Sequence, residues 1–536
     1  MARMNRREMM KLGSAGSLAA LVKGGAAQTG AVGAKQAAGT GHATAAQPVA
    51  QWEVFELTLA GTAAGNPFVD VWLTASFSLG NRAVKVDGFY NGGGAYVVRF
   101  MPDAVGEWTY TTDSNRAELA GKTGSFNCVA AKADAHGPVR VRNTQHFAYA
   151  DGTPFFSFGT TCYAWMHQSD ELQRQTLESL RSAPFNKIRM CVFPKSYQYN
   201  HNEPALYPFE RNAAGVSDFT RLNPAYFAHV EQRIADLRAM GIEADLILFH
   251  PYDRWGYATM GAEADDRYLK YVLARMSAYR NIWWSLANEW DLMHAKSAAD
   301  FDRFFHIIEQ HDAAGHLRSV HYSHTMYDYG HPWVTHASLQ TYAFDRAAEW
   351  LAAWQKPICF DEVQYEGNLN SRWGNLAGEE MLRRFWLGVV AGCYVTHGET
   401  ILDPTLATYD DNATPTLWWA HGGKLHGTSP ARIAFLRKLV EETAASGARV
   451  GLGAQAAAYY LNASATDPSG RPTAVLYFMD YHQPIYYDFP LPDGKFTAEL
   501  IDPWEMKVVA LPGTFEGRTR LKLAGRPYQA LRFRRV

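Results

Sequence analysis

From residue 51 to residue 131, apolar and polar positions alternate between turn residues, as in "WEVFELTLAG", "NPFVDVWLTASFSL", "RAVKVDGFYNGGGAYVVRFMP" and "GEWTYTTDS". Period-two alternation marks strands with one buried face, so an antiparallel β-sandwich is expected here. Residues 446–536 repeat the style with "AAAYYLNAS", "PTAVLYFMDY", "FTAELIDPW" and "QALRFRRV". The middle differs. Short apolar runs begin at "PFFSFGTTCYAW", "FNKIRMCVF", "IEADLILFHPYD" and "NIWWSLANEWD", and continue at "SVHYSH", "ASLQTYAF", "KPICFDEVQYEG" and "GCYVTHGET". Helix-patterned segments such as "NPAYFAHVEQRIADLRAMG" and "GEEMLRRFWLGVVAG" separate them. Strands alternating with helices over this length predict a (β/α)8 TIM barrel. A doubly wound open sheet would alternate too, but it wants a glycine-rich phosphate loop after an early strand, and none is present. The expected fold is multidomain α/β plus β: a leader and linker over 1–48, an immunoglobulin-like sandwich over 49–133, the barrel over 134–445 and a C-terminal β-sandwich over 446–536.

The leader reads "MNRREMMKLGSAGSLAALVKGGAA". Arg6 and Arg7 before a mildly apolar, Gly/Ala-rich stretch resemble a twin-arginine export signal, which implies an exported, periplasmic or secreted protein. The stretch is broken by Lys23 and is too short for a stable anchor. Net charge is −2, without a long basic block, so the footprint of a nucleic-acid binder is missing. Aromatics at 13% suit a neutral, hydroxyl-covered ligand as well as a large core. Five cysteines form no C-x-x-C pair, so metal-ligand spacing is absent; buried free thiols are expected, with a disulfide as the alternative.

Catalytic groups of a barrel gather where its strands end. The ends here carry Tyr163, Trp165 and His167, Arg189, His250 with Tyr252 and Asp253, Asn288-Glu289-Trp290, His324, Tyr342, Glu362, and His397 with Glu399. Turn formers would dominate arbitrary strand ends, so this set predicts a polar, aromatic-lined pocket. His250, His324 and His397 also permit a metal-site reading, though no H-x-H spacing supports it. In the seventh run Ile358, Phe360 and Glu362 are expected to share one face and Asp361 the other. Two carboxylates from different strands can divide acid and nucleophile roles.

Asn288-Glu289 ending strand four and Glu362 ending strand seven are similar to the signature of clan A retaining glycoside hydrolases. The layout, with "NPF" at 66–68, "GFY" at 88–90 and "RFMP…GEWTY" at 99–110, resembles a group of bacterial glycoside hydrolases with an immunoglobulin-like domain, a barrel and a β-sandwich. The resemblance implies Glu289 as general acid/base, Glu362 as nucleophile, and Asn288 on the sugar 2-hydroxyl. Arg189 would sit beneath the nucleophile, Tyr342 would orient it, and His250 and Trp290 would line the sugar site. Trp165, His167, Tyr252, Asp253, His324, His397 and Glu399 complete the candidate pocket. The tryptophan that many clan members carry on strand eight is missing here; Trp418 or Trp419 could replace it. No cofactor is implied, and the partner is a carbohydrate. Two other readings share these residues: a transglycosylase, and a carbohydrate-binding barrel without turnover.

Overall fold

The computed structural model describes residues 48–402, 416–444, 449–451, 461–466 and 469–536. The twin-arginine stretch lies outside the described residues. Eight parallel strands form the central sheet: β1 (Phe158–Thr161), β2 (Lys187–Cys191), β3 (Glu243–Phe249), β4 (Ile282–Ala287), β5 (Leu317–Ser319), β6 (Ala337–Leu339), β7 (Ile358–Phe360) and β8 (Tyr394–His397). Pairing runs β5-β4-β3-β2-β1-β8-β7-β6, and a parallel bridge between His321 and Ser338 joins the two ends into a barrel. Helices α1 (Asp170–Ser182), α2 (Pro224–Ala239), α3 (Ala262–Met276), α4 (Ala298–His311), α5 (Ala347–Trp354), α6 (Gly378–Val390) and α7 (Ser429–Ala444) accompany the strands. Their starts are written in the sequence. Ser169 caps α1, Asn223 followed by Pro224 opens α2, and Ser297 with Asp300 closes a capping box on α4.

The strands are buried on both faces, which is why they read as apolar runs rather than alternating ones. Ile358 and Phe360 of β7 belong to the core shared with the helices, and Phe360 packs on Phe344 with ring centres 4.5 Å apart. Cys359 and Asp361 face the lumen instead. Cys359 packs with Trp283, Leu317 and Tyr394 on a floor closed by Val139, Phe147 and Phe155 from a small three-stranded sheet. The expected face of the seventh strand is therefore reversed: Asp361, not Glu362, continues the inward register. Glu362 reaches the pocket because the strand ends at Phe360 and the chain turns.

Domains flank the barrel on both sides. The N-terminal one is mostly sheet, seven strands between Val49 and Val129. Phe55 and Phe126, near opposite ends of the strand order, stack at 4.1 Å, so the sheet curls over one aromatic core. Arg99 and Arg275 meet buried Glu231 at 2.8 Å and 2.5 Å, joining this domain to α2 and α3. The C-terminal domain is an antiparallel six-stranded sheet plus a two-stranded ribbon. It docks on α6 through the stacked Trp386 and Phe478, and through the Arg383–Asp480 pair at 2.5 Å. All five cysteines are buried and free. Among the described residues no helix is long and apolar enough to cross a membrane.

Candidate active site

Beyond Ala287 the chain leaves β4 through Asn288 and enters Glu289 with φ 56° and ψ 56°. A left-handed conformation costs a non-glycine residue about 1–2 kcal/mol, so other contacts must hold it. They are present. Trp290 N donates to His321 O at 3.0 Å, Asn288 N donates to Phe249 O at 3.0 Å, and the Glu289 carboxylate accepts from the Tyr252 hydroxyl. Gln340, at the end of β6, donates its amide to Glu289 Oε1 at 3.2 Å and to Tyr322 O at 2.8 Å. Glu289 is 2% exposed.

Glu362 is held as closely. Tyr163, two residues past β1, points its hydroxyl at both Glu362 and Asn288 Oδ1, the latter at 2.8 Å, so the two acceptors share its single proton. That contact leaves the Asn288 amide nitrogen as the group's donor. His321 Nε2 stands 4.0 Å from Glu362 Oε1. Burial and the Arg189 charge keep that ring neutral, well below the usual histidine range. Burial pushes Glu362 above the ordinary carboxylate range, and Glu289 adds to it, against Arg189, the Tyr163 bond and Lys195. The buried Tyr365 phenol is raised by burial and by the charge of Glu362. The two carboxylates thus share one electrostatic site.

Beneath them is a buried ionic layer. Lys187 Nζ lies 2.8 Å from Asp361 and 3.2 Å from Asp245, and Arg189 Nε lies 3.6 Å from Asp245. Ser338 and Thr396 donate to Asp361 at 2.6 Å and 2.7 Å. Burial opposes its charge, but Lys187 and Arg189 override burial and hold Asp361 far below the usual carboxylate range. Asp361 is thus an anion committed to the floor.

Several expected pocket residues serve elsewhere. Trp165 is fully buried with its indole on Met190 Sδ, and His167 bonds Cys191 O at 3.1 Å and stacks on Tyr226. Asp253 accepts from Trp255 N and Ala258 N at 2.7 Å and 2.8 Å, bracing its own loop. His324 is exposed, its backbone tied to Asp291 at 2.7 Å. Tyr342 is 53% exposed with Arg384 over its ring, so Tyr163 takes the orienting place expected for it. His397 faces the helices, stacked on Phe185 and 3.2 Å from Thr160 Oγ1. Thr396 points inward to Asp361, so its neighbour must point out; one residue of register decides this. Glu399 accepts from His426 N and Gly427 N at 2.7 Å and 2.8 Å, and Glu366 accepts from Thr428 and Ser429 at the start of α7. Glu366, His397 and Glu399 offer ligand atoms within 4.8 Å of one another. The backbone donors on both carboxylates make Glu366 and Glu399 a clamp on the start of α7. His250 stays close: it bonds Phe193 O at 3.1 Å and is held down to about 3 by burial and by Lys195. Trp290 is half-buried against Phe301 and Tyr327.

Tyr365, Gln340, His321 and Lys195 are absent from the sequence-based set. Gln340 and His321 each fall two residues beyond an inward serine, Ser338 and Ser319, so strict period-two counting reaches both. Tyr365 and Lys195 sit on loops, where no periodicity points to them. Of the two tryptophans, Trp418 donates to Thr160 Oγ1 at 2.8 Å in the core. Trp419 lies on the pocket side, 5.9 Å from the Tyr163 ring and 5.4 Å from Tyr365.

Comparison with known proteins covers most of the chain. Residues 141–445 match the family model "Apiosidase-like, catalytic domain". Residues 48–115 and 467–534 match two domains of unknown function, DUF5060 and DUF5605. A solved protein from Bacteroides vulgatus ATCC 8482, named "putative glycoside hydrolase", is 37% identical with TM-score 0.83, over 91% of this chain and 100% of its own. A glycoside hydrolase of family 5 from the same organism shares the fold at 16% identity and TM-score 0.57, over 74% of this chain and 93% of its own. No curated protein matches the chain.

Proposed function

The chain belongs to the apiosidase-like glycoside hydrolases, and from that premise we propose that it cleaves glycosides with retention, Glu362 acting as nucleophile and Glu289 as acid/base. One observation carries the reading: the carboxylates closing β4 and β7 are each gripped by a tyrosine within one pocket, and Glu362 senses the charge of Glu289. A carboxylate pair of this kind suits double displacement. Glu362 attacks the anomeric carbon as Glu289 passes a proton to the departing oxygen, which leaves as an alcohol. Glu289 then takes a proton from water, the hydroxide attacks the same carbon, and the bond to Glu362 breaks. Asn288, its oxygen occupied by Tyr163, is free to donate to the sugar 2-hydroxyl. Trp419 replaces the missing strand-eight indole as sugar floor.

Replacing Glu362 by Ala should abolish turnover, because no covalent intermediate can form. Azide should restore cleavage of an activated aryl glycoside and yield an inverted glycosyl azide, identified by NMR. Unchanged hydrolysis by a folded variant would end the assignment. Apiosides head the substrate screen on the strength of the family name, followed by pentosides and deoxyhexosides.

We also infer that the flanking sheets are immunoglobulin-like and sandwich modules, and that the protein is exported by the twin-arginine route. Changing Arg6 and Arg7 together to Lys should leave it in the cytoplasm of its host. Fractionation decides the point, and normal export of the double variant removes the inference.

A further inference from the structure

Lys195 has no role in the chemistry above, yet it is buried at 1% exposure beside it. Its ammonium nitrogen lies 3.7 Å from the centre of the Tyr163 ring, 4.3 Å from Tyr252, 4.6 Å from Tyr197 and 5.7 Å from Trp419. Two of those rings carry the hydroxyls that bond the two carboxylates: Tyr163 holds Glu362, and Tyr252 holds Glu289. Among the described residues no carboxylate comes within ion-pair distance of Lys195, so it balances charge through space and ring faces rather than by direct contact. A buried ammonium is costly unless nearby negative charge compensates it.

The charge inventory shows where that compensation lies. Deeper in the barrel, Lys187 and Arg189 face Asp245 and Asp361, two cations against two anions. His321 and His250 are kept neutral by burial, and the Cys191 thiol is pushed up to about 12 by burial, so it carries no charge near neutral pH. The phenols of Tyr163, Tyr197 and Tyr365 are raised further still by burial. Arg189 also acts on Glu362, more strongly than Lys195 does; Lys195, itself lowered by burial, is the cation on which the charges of Glu289 and Glu362 both act.

We propose that Lys195 is a positioning residue: its ammonium, wedged between the tyrosines that grip the two carboxylates, keeps Glu362 an anion ready to attack. Its place in turnover rests on the assignment of Glu362 as nucleophile; its effect on the charge of Glu362 does not. A lysine here also explains why a cation survives in an aromatic cage beside a pair of carboxylates, where an apolar residue would pack as well.

The test is an infrared pH titration of the substrate-free full chain, following the carboxyl C=O band that Glu362→Gln removes. In Lys195→Met the midpoint of that band should rise by about one pH unit, the scale of losing one nearby opposite charge. In Lys195→Arg it should stay with the wild type. If Lys195→Met does not fold, as judged by circular dichroism, Lys195→Gln carries the same expectation. Coincident titrations of the neutral variant and wild type would overturn the proposal, as would an equal rise in Lys195→Arg. Turnover gives a second readout: the acidic limb of kcat/KM for an aryl glycoside should move up with the infrared midpoint, whereas a packing defect would lower kcat and leave the limb in place. Failure of the Glu362→Ala azide rescue would retire the mechanism but leave the infrared midpoint, and so the two ideas fail separately.

Discussion

A single residue, Glu289, illustrates how much the site depends on local geometry. Its left-handed backbone turns the side chain off the line of β4 and into reach of Tyr252 and Gln340. An acid/base residue matters in proportion to the basicity of the leaving group. Glu289→Ala should therefore lose roughly 10²–10⁴-fold on natural glycosides, whose alkoxides need a proton. With a dinitrophenyl glycoside the first step should stay fast and the second become slow, seen as a burst of dinitrophenolate before a slow steady state. Equal slowing with good and poor leaving groups would show that Glu289 is not the acid. The sequence makes this residue visible through "ANEW" at a strand end. It does not make Tyr163 visible as the group that orients Glu362, because that contact joins residues 199 positions apart.

At the scale of elements, the clamp on α7 has consequences for stability. Glu366 and Glu399 both receive backbone N–H groups at the approach to this helix, where the dipole favours negative charge. Burial and the neighbouring Glu366 nevertheless raise Glu399 from 4.5 to about 7, against the two backbone bonds. The folded protein then holds this proton more tightly than the unfolded chain does. The stabilisation is complete below about pH 4.5 and is lost as pH rises through about 7. Against Glu399→Gln, the unfolding free energy of the wild type should fall by on the order of a few kcal/mol between pH 5 and pH 8. Urea melts across that range measure it, and parallel curves would contradict it. Element order was readable here from strand-and-helix alternation. The facing of His397 and Glu399 was not, since β8 is only four residues long and ends without an alternating pattern to set its register.

At the scale of the whole molecule, the barrel is buttressed on both sides by β domains. Helix α6 is the clearest case: its Trp386 is fully buried, stacked 5.3 Å from Phe478, and Arg383 clasps Asp480. Removing the chain after residue 444 would bare that indole and leave Arg383 with Glu380 as its carboxylate partner. The truncated protein should melt at least about 5 °C lower than the full chain. Differential scanning calorimetry checks this, and an unchanged melting temperature would mean the C-terminal sheet is not part of the barrel's stability. The N-terminal sheet is bound by a different device, the buried Glu231 between Arg99 and Arg275, where loss of Glu231 would leave buried Arg275 without its carboxylate.

What the sequence determined by itself was the repeating part. Period-two and helical patterns are local, and they gave the order of domains, the eight barrel strands and the positions of Glu289 and Glu362 at strand ends. Tertiary structure alone decided which neighbours those carboxylates have. Tyr163, Gln340, His321 and Tyr365 come from four other places in the chain. Closure of the barrel brings them together, and the turn after Phe360 sends Asp361 to Lys187 and Glu362 to the pocket. Contacts of that kind depend on distances between strands and on one-residue register, neither of which is encoded in the spacing of residues along the chain.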